Sequence, residues 1–122
     1  MRPLSAAELL NVWERGAAQQ PAQRALALLA ASCSDTAPEE LAGLSVGVRD
    51  ARLLRLREWT FGTQLSCVAA CPGCDQRLEL DLAAGDLRAR GGEEPAEELS
   101  LTASGFVVRF RLPNSRDLVT LA

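Results

Sequence analysis

Hydrophobic positions along this chain change their period near its middle. Up to residue 62 they recur every three or four residues, and beyond residue 64 they tend to alternate. Leu9, Leu10, Trp13 and Ala17 fall on or near one helical face, which predicts a helix over 6–19. Ser5-Ala6-Ala7-Glu8 reads as its capping box: the serine hydroxyl accepts from the Glu8 amide and the glutamate side chain from the serine amide. Pro21 suits the first turn of a second helix over 21–31, with Ala22, Ala25, Leu26, Leu29 and Cys33 at helical spacing. Thr36-Ala37-Pro38-Glu39 offers a second capping box, opening a short helical turn to Leu44. A further helix over 48–61 carries Ala51, Leu54 and Phe61 down one side, and Gly62 is placed to cap it. By their spacing Trp13 and Trp59 read as core anchors. Arg49, Arg52, Arg55 and Arg57, interleaved with Asp50 and Glu58, read as a solvated helix surface.

The second half alternates. Residues 64–68 form a short strand into a cysteine-rich turn and 76–82 a strand out of it, where Leu78, Leu80 and Leu82 alternate with Arg77, Glu79 and Asp81. Gly91 to Glu98 is an acidic stretch expected as a surface loop. Next come 99–102, a turn at 103–105, and a strand over 106–112 with Phe106, Val108, Phe110 and Leu112 on one face. Pro113 ends that strand, and Asn114-Ser115-Arg116-Asp117 starts a helix that the chain stops too soon to complete, as a truncated sequence would. The expected fold is α+β: N-terminal helices packed on a small, mostly antiparallel sheet, with a zinc-knuckle-like cysteine turn at one end. A helical half over 1–62 and a half over 63–122 holding knuckle, hairpin and helix start would together make one compact domain.

Composition narrows the function more than the fold. The net charge is −3, all 13 basic residues are arginine, and histidine is absent. An acidic chain argues against a general nucleic-acid binder, which shows a basic patch or a high pI. Without histidine the usual near-neutral general base and the commonest nitrogen metal ligand are gone. Without lysine, Schiff-base chemistry and a Walker-type phosphate loop are excluded. No signal peptide opens the chain and no apolar run is long enough to span a bilayer, so a cytoplasmic protein with reduced cysteines and no membrane partner is expected.

The chemistry that remains is in thiols. Cys71-Pro72-Gly73-Cys74 has the two-residue spacing that lets both sulfurs face one zinc ion, and Cys67 lies four residues earlier. A structural zinc takes four ligands, and Cys33 completes the set if the helical half folds back onto the turn. Asp75 offers an oxygen instead, in an awkward position beside Cys74. Three alternatives stand beside zinc. The cysteines are plain reduced residues, with Cys33 a buried one; the turn is a dithiol redox site, which prefers a helix N-terminus to lower its first thiol's pKa; or it belongs to a zinc-ribbon adaptor for nucleic acid or transcription machinery.

Five pieces occur in order: L-L-x-V-W-E-R-G, P-A-Q-R-A-L-A-L-L-A-A, R-D-A-R-L-L-R-L-R-E-W-T-F-G, C-P-G-C-D-Q-R-L-E-L and F-R-L-P-N-S-R-D-L. Together they resemble the T4-like baseplate family, small baseplate proteins and hub assembly chaperones of contractile phage tails and phage-derived contractile injection systems. The resemblance implies a non-enzymatic role in building the baseplate, with baseplate, hub or spike proteins as partners and an association with the assembling particle. It places the knuckle cysteines at Cys71 and Cys74, with Asp75 where the family usually has glycine.

Overall fold

A computed structural model describes residues 1–88 and 98–121, in the order α1 (Ala6–Gly16), α2 (Pro21–Ser32), α3 (Pro38–Gly43), α4 (Val46–Phe61), β1 (Gln64–Ala70), β2 (Arg77–Ala83), a 3-10 turn (Ala84–Leu87), β3 (Leu99–Ala103), β4 (Phe106–Phe110) and α5 (Ser115–Leu121). The fold is α+β, with helices at the N-terminal end and small antiparallel sheets after them. The acidic stretch expected as a loop lies, apart from Glu98, outside the described residues.

Local chemistry sets the helix starts. Both arms of the Ser5 capping box are present: the Glu8 amide donates to Ser5 Oγ at 3.3 Å, and the Ser5 amide donates to Glu8 Oε2 at 2.8 Å. Arg2 clasps the same carboxylate at 2.5 Å. The second capping box does not form, because Ala37 takes the cap position and Pro38 opens α3. Ser45 caps α4 through the Val48 amide, so this helix begins two residues earlier than its apolar spacing indicates. Gly62, at φ +85°, ends it in a conformation that favours glycine.

The helices pack on each other rather than on a sheet. Leu29, Cys33 and Leu41 form the core, with Leu26, Leu44 and Leu53 packed against it. The C-terminal segment returns to this body. The Val46 amide donates to the Pro113 carbonyl at 2.9 Å, and α5 lies against α2 and α3. Arg49 is buried, contrary to its reading as solvated surface: it donates to the fully buried Ser115 Oγ at 3.2 Å and is paired with Asp50 at 2.8 Å.

In place of one sheet there are two separate hairpins. β1 pairs antiparallel with β2 in register Leu65 to Leu82, Cys67 to Leu80 and Ala69 to Leu78, which puts those six side chains on one face. Arg57 staples the base of this hairpin to α4 by donating to the Gly62 and Gln64 carbonyls, both at 2.6 Å. Arg88 pairs with Glu58 just beyond it. β3 pairs with β4, Leu99 to Phe110, Leu101 to Val108 and Ala103 to Phe106. The strand expected to run to residue 112 stops at Phe110. The two-residue connection has positive φ at both Ser104 (+52°) and Gly105 (+81°), the condition for a type I′ turn.

Candidate functional site

The cysteine turn sits at the far end of the β1–β2 hairpin. The Cys71 amide donates to the Gln76 carbonyl at 2.9 Å and the Asp75 amide to the Cys71 carbonyl at 2.8 Å, which closes the loop tightly. Such a loop needs a left-handed residue to return the chain. Asp75 supplies it at φ +58°, filling the place where a glycine would sit most easily. The neighbouring Gly73 and Cys74 amides, and after them the Cys74 side chain, favour the thiolate and hold the Cys71 thiol below its ordinary pKa. Cys71 is half-buried and Cys74 exposed. The turn therefore places two free cysteines, neither of them buried, two residues apart.

The other two candidate ligands lie elsewhere. Cys33 is buried in the helical core beside Leu29 and Leu41. Cys67 is on β1, which runs to Ala70, so three strand residues carry the chain from it to Cys71 at the start of the turn, a path of roughly 10 Å or more at strand rise. Sulfurs sharing a tetrahedral zinc at about 2.3 Å each lie only about 3.8 Å apart. Among the described residues no three Cys, Asp or Glu side chains are grouped to hold a metal. Among the described residues the four cysteines are thus not gathered into one metal-ligand group.

The second feature is apolar surface left without a cover by the described residues. Phe106 is 73% exposed, and Leu101, Val108 and Phe110 on the same face of the β3–β4 hairpin are exposed as well. Each of its strands keeps one unpaired edge among the described residues. The tryptophans expected as core anchors are not in the core: Trp13 is 70% exposed, and Trp59 is exposed under the Arg55 guanidinium, 5.6 Å from the ring centre. Trp13 and the 72% exposed Phe61 border a groove of ≈ 340 Å³ floored by Leu9, Val12 and Leu28. Helical spacing identified these aromatics as apolar-face residues, but spacing alone does not say whether an apolar face is covered by the chain itself.

No described helix is long and apolar enough to cross a membrane. Comparison with known families finds one that spans nearly the whole chain: the family described as T4 bacteriophage base plate protein matches residues 5–121. No curated protein and no solved structure matches.

Proposed function

Because the chain belongs to the T4 bacteriophage base plate protein family, whose members have non-enzymatic structural or assembly roles in phage tails and contractile injection systems, we propose that it is an assembly chaperone that works through the β3–β4 hairpin. The uncovered apolar face of that hairpin carries this reading. A face made of Leu101, Phe106, Val108 and Phe110 costs free energy in water, at roughly 25 cal/mol per Å² of apolar surface, until a partner buries it. Its unpaired edges add main-chain donors and acceptors that an extended partner segment satisfies by strand addition. The partner we infer is a baseplate, hub or spike protein, held before it takes its final place. Free cysteines fit assembly in the reducing cytoplasm.

The test is affinity purification of the tagged full chain from cells expressing its whole gene cluster. Recovery of a baseplate, hub or spike protein supports the proposal, with recovery lost in Phe106→Ser plus Val108→Ser. Equal recovery by wild type and that variant removes the hairpin from the interface, and recovery of no particle component removes the partner class.

A further inference from the structure

We propose that Cys71 and Cys74 close into a reversible intramolecular disulfide when the chain meets a low-molecular-weight disulfide, which makes the tip of the β1–β2 hairpin an oxidant-responsive site. The geometry of the loop carries this. The Asp75 amide donates to the Cys71 carbonyl at 2.8 Å, so the chain from Cys71 makes a single closed turn through Pro72, Gly73 and Cys74. A turn holds the Cα atoms of residues three apart within about 7 Å. A disulfide spans Cα atoms about 4.4–6.8 Å apart, so the folded loop already brings the pair into bonding range. The Cys71 side chain also curls over the loop: a β-carbon placed on Gly73 would lie 4.0 Å from Cys71 Sγ. That sulfur therefore sits beside the residue that precedes Cys74 in the chain. Both cysteines are free and neither is buried, so a small oxidant reaches them. Cys33 is closed off in the helical core, and Cys67 is set back on β1 opposite Leu80.

One equivalent of oxidant balances the exchange. The Cys71 thiolate attacks one sulfur of the small disulfide, whose S–S bond breaks, and a small thiol leaves with the proton that Cys71 gave up. The Cys74 thiolate then attacks Cys71 Sγ in the mixed disulfide. The Cys71–Cys74 bond forms, and the second small thiol leaves with the proton of Cys74. The protein pair gives up two electrons and the small disulfide takes them, so excess small thiol runs the same steps backwards. The ring encloses only Cys71 to Cys74, so it removes little loop-closure entropy from the unfolded chain. An exposed bond of this kind responds to its surroundings rather than stapling the fold. It forms within the chain itself and needs no protein substrate.

The experiment equilibrates the reduced, chelator-treated full chain with mixtures of oxidised and reduced glutathione, quenches in acid, alkylates the unfolded chain and maps the cysteines by mass. The expected result is that Cys71 and Cys74 lose their alkylation together, in a monomer lighter by two hydrogens, and regain it in excess reduced glutathione. Cys33 and Cys67 are expected to remain alkylated throughout. Cys74→Ser lacks the second attacking thiol and is expected to stall with glutathione on Cys71, at a level at least about ten-fold above wild type. Its far-UV circular dichroism should match wild type, since the turn is remote from the core. Wild type that accumulates the glutathione adduct as Cys74→Ser does, that joins Cys71 to Cys67 or to another chain, or that stays reduced in a large excess of oxidised glutathione would each overturn the proposal. Because these readouts use the chain alone, their failure leaves the proposed hairpin interface and its partner untouched.

Discussion

Replacing Ser115 by alanine removes one hydroxyl from the place where the chain's end is tied to its helical body. Ser115 is fully buried, and its Oγ accepts from Arg49 Nη1 at 3.2 Å. The same guanidinium donates through Nε to Asp50 at 2.9 Å, so the arginine is held on one side by charge and on the other by this hydroxyl. A hydrogen bond to a charged group is worth about 1.5–3 kcal/mol, and its loss here leaves a buried donor without its partner. Ser115→Ala is therefore expected to lose about 2 kcal/mol of stability. For a chain of this size that lowers Tm by roughly 8 °C. Arg49→Met keeps most of the apolar stem and removes the charge, and is expected to lose a similar amount. The double variant should lose clearly less than the sum, by about 1–2 kcal/mol, because both singles break one contact. Urea denaturation followed by circular dichroism gives all four corners of the cycle. Loss below about 0.5 kcal/mol in Ser115→Ala, the range of an ordinary surface substitution, with an additive double variant, would refute the reasoning.

Other expectations are as direct. Leu29→Ala opens a cavity where Leu29 is fully buried against Cys33 and Leu41, and should cost about 3 kcal/mol in the same urea experiment; a cost under about 1 kcal/mol would mean the core collapses to refill it. Glu8 is held down from 4.5 to about 2 by the Arg2 guanidinium first and then by the Ser5 amide and hydroxyl. A lowered carboxylate pKa contributes stability that is complete above pH 4.5 and lost as pH falls towards 2, so Glu8→Gln should flatten that part of the acid limb; superimposable limbs would contradict it. In zinc-free protein Cys71 should alkylate faster than Cys33 in mild acid, because the amides of Gly73 and Cys74 favour its thiolate while Cys33 is buried; mass-mapped alkylation of Cys33 first would exclude that.

The sequence carried the elements better than their packing. Helical spacing, the Ser5–Glu8 box, Pro21 and Gly62 placed α1, α2 and α4 to within a few residues because each is a local signal. Alternation placed both hairpins for the same reason. What it did not carry was which apolar faces meet. Trp13, Phe61 and Phe106 have the periodicity of core residues, yet their faces have no cover within the described chain. A protein built to join an assembly leaves apolar faces for its partners, and periodicity is identical whether the cover is internal or external. Arg49 failed in the opposite sense: it sits in an arginine-rich run that looks solvated, and its partner Ser115 lies 66 residues away, beyond any local signal. At the cysteine turn the spacing of Cys71 and Cys74 was legible, and so was the place of Asp75 where the family usually has glycine, a position that takes a positive φ. The fates of Cys33 and Cys67 depend on tertiary placement, which spacing does not encode.

The most direct measurement of the central claim is particle assembly in cells lacking this chain. Sheathed particles are counted by electron microscopy after complementation with wild type, with Phe106→Ser plus Val108→Ser, or with empty vector. The expected result is full numbers with wild type, no complete particles with vector, and a strong loss with the hairpin variant at wild-type protein levels. Normal particle numbers with the empty vector would contradict a role in building the baseplate, and normal numbers with the variant would contradict the hairpin as the working surface.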